Sequence, residues 1–148
     1  MTTIVYDHKN KQIACDSRLS KGGSTIISDI HIKYISNDIG LWFFCGDICD
    51  IDGFIDCYGK EQEQQKVTFN ASAFLVIDEE VFSVYMDDGY FCKAPLTHSD
   101  CKGSGELLAI SALDHCKTAE EAVDYAMTRD MFTGGYVHVY DIEKGEFI

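Results

Sequence analysis

Thr2-Thr3-Ile4-Val5-Tyr6-Asp7, the segment directly after Met1, reads as a short apolar strand headed by two threonines. Thr2 becomes the N-terminus once Met1 is removed. A threonine hydroxyl is a weak nucleophile until a base takes its proton. A free α-amino group on the same residue is such a base, with a pKa of about 7.7–8.0. A threonine inside a chain has no such amine. Many ordinary chains also begin Met-Thr, so the segment acquires meaning only from the rest of the chain.

Working outward, a polar turn at His8-Lys9-Asn10-Lys11 returns the chain into a second strand, Gln12 to Asp16. Gly22-Gly23 marks a loop. Residues 30–35 alternate, with Ile30, Ile32 and Tyr34 on one face and His31, Lys33 and Ile35 on the other, which predicts a strand. Leu41 to Cys45 is wholly apolar. Gly46-Asp47 then opens a helix whose inner face carries Ile48, Ile51 and Ile55 with Phe54 beside them, fading into the polar stretch Gly59 to Lys66. Ala71 to Ile77 and Val81 to Met86 form a hairpin, and Tyr90-Phe91-Cys92 a further short strand. Pro95 falls in a loop ending at Gly103-Ser104-Gly105. Leu107 to Leu113 is helical. Thr118 and Glu121 form a capping box for a helix from Ala119 to about Arg129. Tyr136 to Tyr140 is the last long strand. Strands clustered in this way, with helices between the clusters, predict antiparallel sheets with helices on their outer faces, an α+β layered sandwich.

The 148 residues, 46% of them apolar and 12% aromatic, suit one domain, 1–148, with a real core. No apolar run approaches the roughly 20 residues of a membrane span, and no basic region followed by an apolar run marks a signal peptide. The net charge of −13, from 25 acids and 12 bases, argues against nucleic acid or an anionic membrane as partner. The seven cysteines are odd in number and contain no Cys-x-x-Cys. They read as small buried hydrophobes of a reducing cytoplasm. No metal or organic cofactor is implied, and Asp50-Ile51-Asp52-Gly53 has too few ligands for a calcium loop.

Taken singly, the polar residues have plain readings. Asp16 is a turn former, Lys33 a solvent-facing strand residue, Gly46-Asp47 a turn and cap, and Ser104 an N-cap. Asp130-Met131-Phe132-Thr133-Gly134-Gly135 is an ordinary helix-to-strand connection. Taken in order, however, Thr2-Thr3, Ala14-Cys15-Asp16, Lys33, Gly46-Asp47, Gly103-Ser104-Gly105 and Asp130-x-x-Thr133-Gly134-Gly135 span nearly the whole chain. This ordered set resembles the N-terminal-nucleophile hydrolases of the proteasome β-subunit family, and most of all the bacterial proteasome-like peptidase that works under an ATP-driven unfoldase.

The resemblance implies a four-layer αββα sandwich of two antiparallel sheets flanked by helices. It also implies a threonine peptidase or amidase that needs no cofactor. On it, Thr2 supplies both nucleophile and base, Lys33 lowers the pKa of the amine, and Asp16 pairs with Lys33. Ser104, Asp130 and Thr133 form a network around the amine, Thr133 standing where the family has serine. The Gly46 N–H faces the oxyanion, a contact that contributes about 2.7–4 kcal/mol where it forms. Counting forward from Ser28-Asp29 favours Lys33 as the family lysine. Counting back from Cys45-Gly46-Asp47 favours His31, and Lys33 is preferred. Family members carry two long helices between the Gly-Asp junction and the next hairpin, where this chain has room for one, so a reduced helical layer is expected. Peptides or unfolded chains are the implied substrates, and a homo-oligomer and an unfoldase the implied partners. The competing reading is a catalytically silent relative that uses the same fold as a binding or interaction module.

Overall fold

The computed structural model describes residues 1–60 and 67–148, so most of the polar stretch Gly59 to Lys66 lies outside the described residues. The strands are β1 (Thr3–Asp7), β2 (Gln12–Cys15), β3 (Leu19–Lys21), β4 (Thr25–Ser28), β5 (Tyr34–Ser36), β6 (Leu41–Gly46), β7 (Ala71–Ile77), β8 (Glu80–Asp87), β9 (Tyr90–Pro95), β10 (Asp100–Gly103), β11 (His138–Asp141) and β12 (Glu146–Phe147). The helices are α1 (Ile48–Cys57), α2 (Glu106–Asp114) and α3 (Ala119–Met127). Among the described residues, one five-stranded sheet has the order β10-β1-β2-β11-β12 and a second the order β5-β6-β7-β8-β9, while β3 and β4 pair only with each other. Every pairing among these strands is antiparallel.

The layers follow from side-chain parity. In β1 and β2, Ile4, Tyr6, Ile13 and Cys15 point toward the second sheet and meet Phe43, Cys45, Phe74 and Val76. The alternate residues Val5 and Ala14, with Cys101 and Val139, pack under α2 and α3. Trp42, Ala73, Leu75 and Val84 on the far face of the second sheet pack under α1 through Ile51, Phe54 and Ile55. The result is helix, sheet, sheet, helix. Among the described residues, the layer outside the second sheet holds α1 alone, as the shortened middle predicts. Central strands buried on both faces are apolar at both parities, which is why 4–6 and 41–45 read as continuous apolar runs.

Four expectations need correction. Residues 30–33 are not strand, and β5 begins only at Tyr34. In that segment Ile30 is 73% exposed and Ile32 also faces solvent, whereas Lys33 is buried. Pairing of Lys33 with a buried acid outweighs the burial of two isoleucines on that side. Pro95 ends β9 instead of lying in a loop, and the segment after it contains β10, an edge strand with only four residues to announce it; the Gly22-Gly23 loop stands, as the turn of the β3–β4 hairpin. Finally, only Cys15, Cys45 and Cys101 are fully buried; Cys49 and Cys116 are exposed, and all seven cysteines are free thiols.

The capping box is present: Thr118 Oγ1 accepts from Glu121 N–H while the Glu121 carboxylate accepts from Thr118 N–H at 3.0 Å. The antiparallel ladder sets the start of β1 beside the end of β2 and the end of β10, with Thr3 opposite Gly103 and Asp16 N–H donating to Thr3 O. One end of the sandwich thus gathers Thr2, Asp16 and Gly103-Ser104.

Candidate active site

Asp16 has no exposed surface and lies one residue beyond β2. Its Oδ1 accepts from Lys33 Nζ at 2.8 Å and from Thr3 N–H at 2.9 Å. Its Oδ2 accepts from Gly134 N–H at 3.0 Å and from Arg18 N–H at 3.2 Å. A buried carboxylate is tolerated when its oxygens are filled in this way. Lys33, 3% exposed, also donates to the carbonyl oxygen of Met1 at 3.2 Å. Burial pulls the Lys33 pKa below its usual value, and the charge and hydrogen bond of Asp16 oppose that shift. The alternative residue, His31, is half-buried, and its backbone N–H donates to Ser17 O. Burial, and then the Lys33 charge, hold the His31 imidazole below its usual pKa.

A second network approaches from the other side. Thr133 Oγ1 donates to Asp130 Oδ2, and Ser104 Oγ donates to the same oxygen at 2.6 Å. Because the Thr133 proton is committed to Asp130, the Thr3 hydroxyl donates to Thr133 Oγ1. Thr3 Oγ1 in turn accepts from Gly105 N–H at 3.1 Å. The chain of bonds runs one way, from the Gly105 amide through two hydroxyls to a carboxylate. Ser104 therefore does not cap α2; the N-cap is Gly105. Ser104 N–H donates to Thr2 O at 2.9 Å.

Two glycines permit the close approach. Gly103, at φ +103°, could carry no side chain, since a Cβ would sit 1.6 Å from the Thr2 carbonyl oxygen. Gly46, at φ +128° and ending β6, has its Cβ position occupied by the Asn70 carbonyl oxygen at 2.1 Å. Asp47 comes next, and its carboxylate accepts from Asn70 Nδ2 at 2.9 Å instead of capping α1.

Thr2, 5% exposed, and Gly46 border an open cleft of about 710 Å³, closed in part by Ser104 and the Gly22-Gly23 turn. Cys45 also borders it, but burial raises its pKa, which keeps it a thiol and a poor nucleophile. The structure thus brings together all seven residues singled out from the sequence around Thr2 and its neighbours.

Sequence reasoning misses three further residues. Thr3 joins the two networks, its backbone N–H donating to Asp16 and its hydroxyl to Thr133. Arg18 Nε and Nη2 grip the Asp29 carboxylate at 2.7 and 3.2 Å, while Nη1 donates to Met131 O at 3.0 Å, tying the loop before Lys33 to the one carrying Thr133. Ser17 Oγ donates to Asp29 O and accepts from Tyr136 N–H, each at 2.6 Å. The available signal is the polar run Asp16-Ser17-Arg18 leaving a buried strand.

No protein-family model and no curated protein matches the sequence. Solved structures do match in shape. Eukaryotic HslV from Trypanosoma brucei superposes with a TM-score of 0.70 at 19% identity, over 93% of this chain and 97% of that one. Thiobacillus denitrificans BPH in complex with epoxomicin gives 0.69 at 14% identity, over 94% and 97%. A second structure of Thiobacillus denitrificans BPH gives 0.66 at 15% identity, over 94% and 95%. The likeness extends over almost the full length of both chains in each case, and this chain has the HslV-type, proteasome-like N-terminal-nucleophile hydrolase fold.

Proposed function

We propose that this chain is a threonine peptidase or amidase in which Thr2, freed by removal of Met1, is the nucleophile. The observation that carries this reading is the buried Asp16–Lys33 pair at the Met1–Thr2 junction, with Lys33 Nζ 3.2 Å from the Met1 carbonyl oxygen. A buried ammonium at this point favours the neutral form of an adjacent α-amine, the form that acts as base. The Thr2 amine then takes the hydroxyl proton as Oγ1 attacks the carbonyl carbon of an amide. The tetrahedral oxyanion is met by the Gly46 N–H. The departing amine takes up the proton, leaving an acyl-threonine ester that water hydrolyses. Ser104, Asp130 and Thr133 hold the terminal amine in position.

Peptides or unfolded chains are the substrates this reading entails, delivered by an ATP-driven unfoldase in a reducing cytoplasm. A homo-oligomer is supported by the surface: Ile26 and Ile27 of β4, with Ile30 and Ile32 beyond it, are all at least half exposed. Among the described residues strand β4 pairs only with β3, and a lone two-stranded hairpin is marginal without further packing.

Intact-mass analysis of the native protein tests the first step and should show loss of Met1. Thr2→Ala should then lower hydrolysis of peptide reporters by at least about 10³-fold, and epoxomicin should label Thr2 stoichiometrically. Full activity of Thr2→Ala would overturn the mechanism. The second reading, a binding module, is favoured by one contact: while Met1 is attached it lines the cleft and Thr2 has no free amine. Retained Met1 with no labelling would establish that reading instead.

A further inference from the structure

We infer that the cleft beside Thr2 selects peptides carrying arginine or lysine, with Asp47 and Glu106 as the specificity-determining residues. The inference names a substrate class for the site proposed above and rests on that reading for chemistry, though not for binding. Among the described residues lining the cleft, the side chains with full charge are Asp47 and Glu106, and both are acids. They come from opposite walls: Asp47 leads into α1 over the second sheet, and Glu106 opens α2 over the first. Both are exposed. Asp47 is held in place by Asn70.

The lining also includes the apolar and aromatic side chains of Phe69, Tyr85 and Met86. Aliphatic stems and guanidinium planes pack on such surfaces while their charge reaches a carboxylate. The Tyr85 ring already takes a cation: Lys102 Nζ, which lies outside the cleft, is 5.8 Å from the ring centroid. The net charge of −13 draws cationic chains in and repels acidic ones. A partly apolar cleft with two carboxylates and, among the described residues, no lining lysine, arginine or histidine therefore favours basic peptides over acidic ones of the same length.

The test is fluorescence anisotropy on the full chain carrying Thr2→Ala, with labelled hexapeptides that differ only in a central Arg, Ala or Glu. Hydrolysis of the same peptides by the unsubstituted protein is measured in parallel. The Arg peptide should bind at least about five-fold tighter than the Glu peptide at low salt, the yield of two exposed charge pairs. Asp47→Asn with Glu106→Gln should erase that ratio, and Asp47→Asn with Glu106→Lys should invert it. Equal binding, no binding of any peptide, or a ratio unchanged in the doubly neutral variant would overturn the inference. Selective binding without hydrolysis would uphold it and sink the peptidase reading alone.

Discussion

Lys33 and Asp16 form an ion pair at 2.8 Å with side chains 3% and 0% exposed. Such a pair adds little net stability by itself, because taking two ions out of water costs about what their attraction returns. Removing one partner is different. Asp16→Asn leaves the buried ammonium without a counter-charge and should cost about 3–5 kcal/mol, seen as a lower urea midpoint with an unchanged slope. Lys33→Met in the same chain should recover most of that loss. The pH dependence has a definite sign. The folded-state pKa of Lys33 lies below its usual 10.5, so between the two values the unfolded chain binds more protons and the contribution of Lys33 to stability rises with pH. The Asp16→Asn deficit should shrink as pH is raised toward 10.5.

Thr133 carries the link between the Thr3 hydroxyl and Asp130. Thr133→Val keeps the volume and removes the oxygen, stranding a buried Thr3 proton. A loss of about 1–3 kcal/mol is expected, against under about 1 kcal/mol for Thr133→Ser. Equal melting of the two variants would show that the hydroxyl chain is energetically idle.

His31 gives a second titration. Its folded-state pKa is depressed below 6.5, first by burial and then by Lys33. Below pH 6.5 the unfolded chain therefore binds more protons at this residue, and stability falls as pH drops from 6.5 toward the folded value. His31→Asn should flatten the stability profile in that window, measured by urea denaturation at fixed ionic strength. A profile identical to that of the unsubstituted chain would assign the acid sensitivity elsewhere.

The isoleucine face tests assembly. Ile27→Asp combined with Ile30→Asp adds charge to an exposed apolar surface and should leave the monomer fold intact, since both side chains are already solvated. Sedimentation velocity should show a larger species for the unsubstituted chain and a monomer for the variant. A monomer in both cases would remove the homo-oligomer.

Much of the site is legible in the sequence. Asp16, Gly46, Ser104, Asp130 and Thr133 become candidates through the family that their order resembles, and the layered sandwich follows from strand clustering. The rest is set by partners distant in sequence. Lys33 and His31 share a strand parity, so no count separates them; only the fold shows the ammonium bonded to Asp16. The exposure of Ile30 and Ile32 has the same origin, because seating Lys33 beside Asp16 turns its neighbours outward. Arg18 reads as a surface residue until the loop of Met131 comes to lie against it.

By itself, then, the sequence determined the strands of the two central ladders, the capped helix α3 and the set of polar residues available for chemistry. These depend on local spacing: a period of two in strands, a capping box three residues wide, glycine where a positive φ is needed. Only the tertiary structure decided which charges pair, which hydroxyl donates to which, and that Gly103 must be bare beside the Thr2 carbonyl. Those outcomes depend on atoms far apart in the chain coming within a few ångströms of each other, and on desolvation, which no local window contains.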